Sequence, residues 1–195
     1  MATGKTSVVT PARFAAGLSY KDYIAQITVN KDRFEQYYES AKISPEDAAF
    51  FKNAMKNPDG PAKILVIGED WCPDVYRGMP VVARLAEATG LELRVFPRDK
   101  NLDIIEEFLN QGQFQSVPTV VFYTKDHRYI GHWIERPVFA NQDRAEIDAQ
   151  VRKEMPGADD QAVRAEGRTR TTARYPIWQQ ASVKEMREIV ASKLR

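Results

Sequence analysis

The sequence predicts an α/β domain: a central mixed sheet flanked by helices, with helical extensions at both ends. Three observations carry that prediction. Lys63-Ile64-Leu65-Val66-Ile67-Gly68 is a β-branched run, apolar on both faces, as expected of a strand buried in the middle of a sheet. Strand-like and helix-like segments then alternate to about residue 109, the pattern of parallel strands joined by crossover helices. After Ser116 two strand-like segments follow with only a short turn between them, so the second half is antiparallel.

Taken in order, residues 1–18 read as a flexible N-terminal tail. The stretch is rich in Ala, Thr and Val, carries Lys5 and Arg13, and lacks a continuous apolar run. Gly4-Lys5-Thr6 resembles the end of a phosphate-binding loop, but that loop needs an earlier glycine, a preceding strand and a following helix, all missing here. Residues 19–60 read as a helical extension of three short helices. Tyr20, Tyr23, Ile24 and Ile27 recur at helical spacing, and Asn30 stands as an N-cap before Phe34, Tyr37 and Tyr38. Ser44-Pro45-Glu46-Asp47 combines a capping serine, a proline at the first helical position and acids in the first turn. Asn57-Pro58-Asp59-Gly60-Pro61 is dense in helix breakers and closes the region. The aromatic faces of these helices are expected to pack on the domain that follows, since an amphipathic helix buries its apolar face.

The core, residues 61–155, opens with the strand Lys63 to Gly68. A helix is expected from Asp74 to Ala88 with Val81, Val82, Leu85 and Ala88 inward, kinked near Pro80 because proline removes a helical donor and crowds the preceding turn. Leu91 to Phe96 reads as a second strand and Leu102 to Leu109 as a second helix. Ser116 to Tyr123 begins a third strand with Pro118 at its entrance, where the ring is tolerated and the cis isomer is accessible. Lys125-Asp126-His127-Arg128 reads as a hairpin turn into a fourth strand, Tyr129 to Ile134, and Val138 to Met155 as the last core helix or an extension of the core, closed by Pro156 and Gly157. Residues 156–195 read as a loop and a helix. Arg164, Arg168, Arg170 and Arg174 lie among threonines without an apolar stripe, as in a solvated loop or an anion-binding arm. Ser182-Val183-Lys184-Glu185 is a capping box opening a final helix, with Val183, Met186, Ile189 and Val190 inward to dock on the domain or on a second subunit.

Composition narrows the classes of function. With 195 residues, 43% of them hydrophobic, the chain can bury a substantial core. A net charge of +1 sets up no global field toward nucleic acid, and no stretch reaches membrane-spanning length, so neither nucleic acid nor membrane is an expected partner. A single cysteine excludes a disulfide-stapled secreted scaffold and makes the cytoplasm, where free thiols stay free, the default location.

That cysteine, Cys72, lies in Gly68-Glu69-Asp70-Trp71-Cys72-Pro73-Asp74-Val75, where the central strand gives way to a helix. Free N–H groups and the dipole at a helix start favour thiolate over thiol. Asp74 adds an opposing negative charge, and Arg77, one turn along, is the residue placed to offset it. Glu69 and Asp70 read as acids near a helix start rather than as a cation site. His127 and His132 fall on the hairpin; a turn histidine is expected to face solvent, and two histidines without further ligands do not make a metal set.

Trp71-Cys72-Pro73 after the central strand, Pro80 at its distance into the helix, and Val117-Pro118-Thr119 before the third strand together resemble the thioredoxin-like superfamily, over about Pro61 to Met155. Trp71-Cys72-Pro73-Asp74, the helical N-terminal extension and Trp133-Ile134-Glu135-Arg136-Pro137 are similar to a bacterial thioredoxin-like subgroup with a Trp-Cys-x-Asp turn. The resemblance implies a thioredoxin fold and an oxidoreductase of cell redox homeostasis. It implies Cys72 as the nucleophile, Pro118 as the cis-proline packed against its sulfur, and the backbone of Val117 as the edge on which extended substrates pair. Trp71, Pro73 and Asp74 would complete the substrate surface.

Two departures limit what is implied. Val75 stands where the family has its second active-site cysteine, and Val66 where classical thioredoxins bury a proton-shuttling acid. One thiol can still attack a mixed disulfide and then be released by an outside thiol such as glutathione. It can also be oxidised by peroxide to sulfenic acid, which external thiols reverse, or bridge a homodimer. Two functions of different class follow. The first is a cytoplasmic monothiol oxidoreductase acting on protein or peptide disulfides, with no bound cofactor and with glutathione or another small thiol as co-substrate. The second is a redox-inactive binding module for a peptide or partner protein, with Cys72 a small hydrophobe at the junction.

Overall fold

In a computed structural model that describes residues 7–194, four strands form one mixed sheet in the order β2-β1-β3-β4, with β1 at Lys63–Gly68, β2 at Glu92–Pro97, β3 at Thr119–Tyr123 and β4 at Tyr129–Ile134. β1 and β2 are parallel, with Val66 opposite Val95, and the β1–β3 and β3–β4 pairs are antiparallel, with Val120 opposite Val66 on one side and Trp133 on the other. The two-faced apolar run of β1 is explained by cover on both faces: Ile64, Leu65, Val66 and Ile67 are fully buried.

Four helices precede the sheet: α1 (Pro11–Ala15), α2 (Tyr20–Gln26), α3 (Lys31–Ser40) and α4 (Pro45–Ala54). Ser19 and Ser44 accept the N–H of Asp22 and Asp47, as capping serines do. Asn30 precedes α3 without a side-chain cap; its backbone is left-handed and its amide group donates instead to the Asp70 carbonyl at 2.9 Å. α5 (Pro73–Thr89) joins β1 to β2, α6 (Leu102–Ile105) follows a single 3-10 turn, and α7 (Val138–Glu154) and α8 (Asp160–Ala191) close the chain. α5 lies at the centre, packed on β1 with α3 and α8 also against it, and Pro80 is buried within it. The aromatic faces of the N-terminal helices pack as expected: Tyr37 stacks on Tyr76 with ring centres 6.2 Å apart, and Phe51 on Phe122 at 6.1 Å.

Five stretches differ from the sequence expectation. Residues 7–18 are not a loose tail. Val9 and Phe14 are buried, and Leu18 exchanges two backbone hydrogen bonds with Val95, covering the outer edge of β2. Gly4-Lys5-Thr6 lies outside the described residues. The helix expected to reach Leu109 stops at Ile105, because the N–H groups of Glu107 and Phe108 turn back three residues instead of four and bring Phe108 against Tyr129 and His132.

The arginine-rich segment is not a loop but the first half of α8. Arg170 pairs with Glu154 at 2.7 Å and Glu166 at 2.6 Å, and Arg174 with Asp143 at 2.7 Å, so carboxylates of the protein occupy these two of the four guanidinium groups, Arg164 and Arg168 staying exposed, while small Gly167 and Thr171 are buried and allow α7 to approach. Ser182 opens no helix: α8 already runs through it, and its hydroxyl donates to the Trp178 carbonyl at 2.9 Å. His127 does not face solvent; its ring stacks on Tyr123 at 4.6 Å and its Nε2 is 2.8 Å from the Val9 carbonyl oxygen.

Candidate functional site

Cys72 is the N-cap residue of α5, immediately after the turn that follows β1, and Pro73 takes the first helical position, where its missing N–H is not needed. The thiol is half-buried and donates to the carbonyl oxygen of Val117, 3.7 Å from Sγ. The Val117–Pro118 peptide bond is cis and both residues are buried. Gly78 lets α5 approach the same loop, since a Cβ there would stand 3.3 Å from Pro118 Cγ. Cys72, Asp74, Val117 and Pro118 are thereby brought to one place. Trp71 and Pro73 lie at its exposed rim, Trp71 49% exposed with the Arg98 guanidinium 5.2 Å over its ring.

Burial pushes the Cys72 thiol above its ordinary pKa. The N–H groups of Val75 and Asp74 act in the opposite direction, and the charges of Asp74 and Glu135 add to the rise. The helix-start effect expected from the sequence is present, but burial outweighs it. The bond to Val117 acts the same way, because only the protonated sulfur can donate.

Asp74 has a stronger partner than the sequence suggested. Arg136, from the loop after β4, reaches it with Nε at 3.3 Å and a terminal nitrogen at 2.5 Å, whereas Arg77 comes only to 4.0 Å. Arg77 lies instead over the rings of Tyr175, at 4.0 Å, and Tyr76, at 5.3 Å. Arg136 was visible as part of Trp133 to Pro137, but a pairing across 62 positions leaves no trace in local spacing. Glu69 accepts the N–H of Asp99 at 2.6 Å, and one oxygen of Asp70 accepts those of Thr28 and Val29 at 2.9 and 3.2 Å, so both acids secure backbone from other elements. Among the described residues, no group of three His, Cys, Asp or Glu is placed to hold a metal. Val75 and Val66, in the places of the second cysteine and the buried acid, are fully buried in the hydrophobic core.

A family model described as Thioredoxin matches residues 17–148. No curated protein matches the sequence. Among solved structures, a protein of unknown function from Pseudomonas aeruginosa is 14% identical over 94% of this chain and 98% of its own, with a TM-score of 0.64. An HIV epitope scaffold is 13% identical, over 94% of this chain and 99% of its own, also with a TM-score of 0.64. At those identities the two structures establish the fold alone. The family model spans well over half of the chain, including the central strand, α5 and the cis-proline loop, and the chain belongs to the thioredoxin family.

Proposed function

We propose that Cys72 performs one-thiol exchange, with a protein or peptide mixed disulfide as substrate and glutathione, or another small thiol, as the second thiol. What supports this reading most is the placement of the only cysteine, at the N-cap of α5 with its sulfur 3.7 Å from the Val117 carbonyl oxygen and beside a cis-proline. The ionised Sγ attacks the glutathione sulfur of a mixed disulfide; that S–S bond breaks, the substrate sulfur leaves as a thiolate and takes a proton from water. A second glutathione thiolate attacks the new Cys72–glutathione disulfide, releasing Cys72 and oxidised glutathione. One substrate sulfur is reduced, and the two glutathione sulfurs end joined. The raised thiol makes exchange slow near neutral pH and faster as pH rises, since only thiolate attacks. The cytoplasm, where glutathione is abundant and reducing, suits this cycle.

The test joins two measurements on the native protein. Iodoacetamide should label Cys72 with a half-point above the free-cysteine value of about 8.5, and turnover of a glutathionylated peptide should fall to background in Cys72→Ser. An unlabelled native thiol, or turnover unchanged in Cys72→Ser, overturns the reading. The second reading, a redox-inactive binding module, is favoured by one observation: Trp71 and Val29, joined through Asp70, both stay exposed at the turn that leads into Cys72. That reading expects partner capture to survive Cys72→Ser and to be lost in Trp71→Ala.

A further inference from the structure

Asp74 stands two residues after Cys72 in the first turn of α5, where an unpaired carboxylate opposes ionisation of the thiol. It is not unpaired. Arg136 grips both its oxygens, and the two side chains are only 20% and 14% exposed, so solvent and salt screen the pair weakly. The loop that carries Arg136 is fixed separately. Glu135 has a left-handed backbone, with φ of 69°, and donates its N–H to the Pro118 carbonyl at 2.7 Å. Arg136 also bonds Asn141 at 3.2 Å and the Glu135 carboxylate at 2.7 Å.

The Glu135 backbone thus ties the loop after β4 to the cis-proline loop, while the Arg136 guanidinium ties the same loop to α5 and lies within the electrostatic reach of Cys72. The other groups that face the thiol are few. Glu135 comes from the same loop, and the buried Tyr23 hydroxyl comes from α2. Arg77, further along α5, is held over the rings of Tyr76 and Tyr175. Glu69 and Asp70 are bonded to backbone amides.

We propose that Arg136 is the positioning residue of the Cys72 site: its two-point grip on Asp74 draws that negative charge off the thiol and clamps the first turn of α5 to the loop after β4, whose Glu135 backbone holds the cis-proline loop. A planar fork suits this task, because it meets both carboxylate oxygens at once, which a lysine ammonium does not. The assignment deepens, and rests on, the reading of Cys72 as an exchanging thiol.

The experiment reads the pH half-point of iodoacetamide alkylation in Arg136→Gln, Arg136→Lys, Asp74→Asn and the double variant Asp74→Asn/Arg136→Gln, with circular dichroism as the check on folding. Arg136→Gln should raise the half-point by roughly 0.5–1 pH unit, Asp74→Asn should lower it, and the double variant should return it to about the wild-type value, since the stranded charge is gone. Arg136→Lys should give a smaller rise, and it decides the matter should Arg136→Gln not fold. An unmoved half-point in the folded arginine variants overturns the proposal, and so does a double variant raised as much as Arg136→Gln, which would trace the effect to lost structure rather than to the Asp74 charge. Failure of the exchange reading is separate: it appears as absent peptide turnover in wild type, with the half-points of the variants still ordered as above.

Discussion

Gly68 ends β1 with no room for a side chain: a Cβ there would stand 2.8 Å from Val75 Cγ1 and 3.1 Å from Met79 Cε. The glycine is needed for space, so that the buried face of α5 can close on the strand just before the site. Gly68→Ala should therefore cost about 1–3 kcal/mol by overpacking, and combining it with Val75→Ala should cost less than the sum of the two single changes because they share the same clash. Urea unfolding of the three variants measures this; strict additivity would show that the strand end and helix do not press on each other. Single residues of the site differ in how far their sequence discloses them. Trp71, Cys72, Pro73 and Pro118 are legible because each is set by its immediate neighbours: a strand end, a helix start or a strand entrance. The Asp74 partner is not, since which arginine reaches a carboxylate is decided by where the loop after β4 lands. Burial of the thiol is equally a product of the assembled fold, and it reverses the direction that the helix start alone implies.

At the scale of elements, strands are legible, as is the Ser44 cap, whereas the Ser182 capping box and the continuity of the helices are not. β1 through β4 fall within a few residues of expectation because two-faced and hairpin patterns are local. α8 escapes the same reasoning, because the buried side of its first half is made of Val163, Gly167, Thr171 and Tyr175, too sparse in large apolar residues to read as a stripe, and ion pairs to α7 add to that contact. Its second half buries Val183, Met186 and Val190 in the core, and Glu185 adds a polar fastening: it accepts the Trp133 indole N–H at 2.8 Å and the Val138 N–H at 2.8 Å, joining α8 to β4 and to the start of α7. Glu185→Ala strands the indole donor of Trp133, which is only 4% exposed, and the expected loss is about 1–3 kcal/mol. Glu185→Gln, which keeps an acceptor, should recover part of it. A thermal melt unchanged in Glu185→Ala would remove this junction from the stability of the fold.

At the scale of the molecule, both ends of the described chain pack on the sheet, and two partly buried histidines lie on its β3–β4 side, His127 in the turn against the N-terminal segment and His132 in β4. His127 bonds Val9, and His132 lies against Phe108 with Tyr129 hydroxyl 2.5 Å from its Nδ1. Burial lowers the pKa of both below the ordinary imidazole value. The unfolded chain then binds protons that the folded chain refuses, so this contribution to stability is whole above about pH 6.5 and is lost as pH falls toward the folded values. The melting temperature should drop between pH 7.5 and 5.5 and drop less in His132→Gln; an equal drop in that variant would show that His132 is not a source of the pH dependence. The N-terminal extension is likewise no appendage, for one oxygen of Asp70 holds the amides of Thr28 and Val29 while the next residues are Trp71 and Cys72. Those two amides are consequently a natural spectroscopic window on the thiol: their nitrogen and proton resonances, some forty residues away in sequence, register each displacement of the Asp70–Cys72 turn, so thiolation can be followed by NMR with no label on the sulfur.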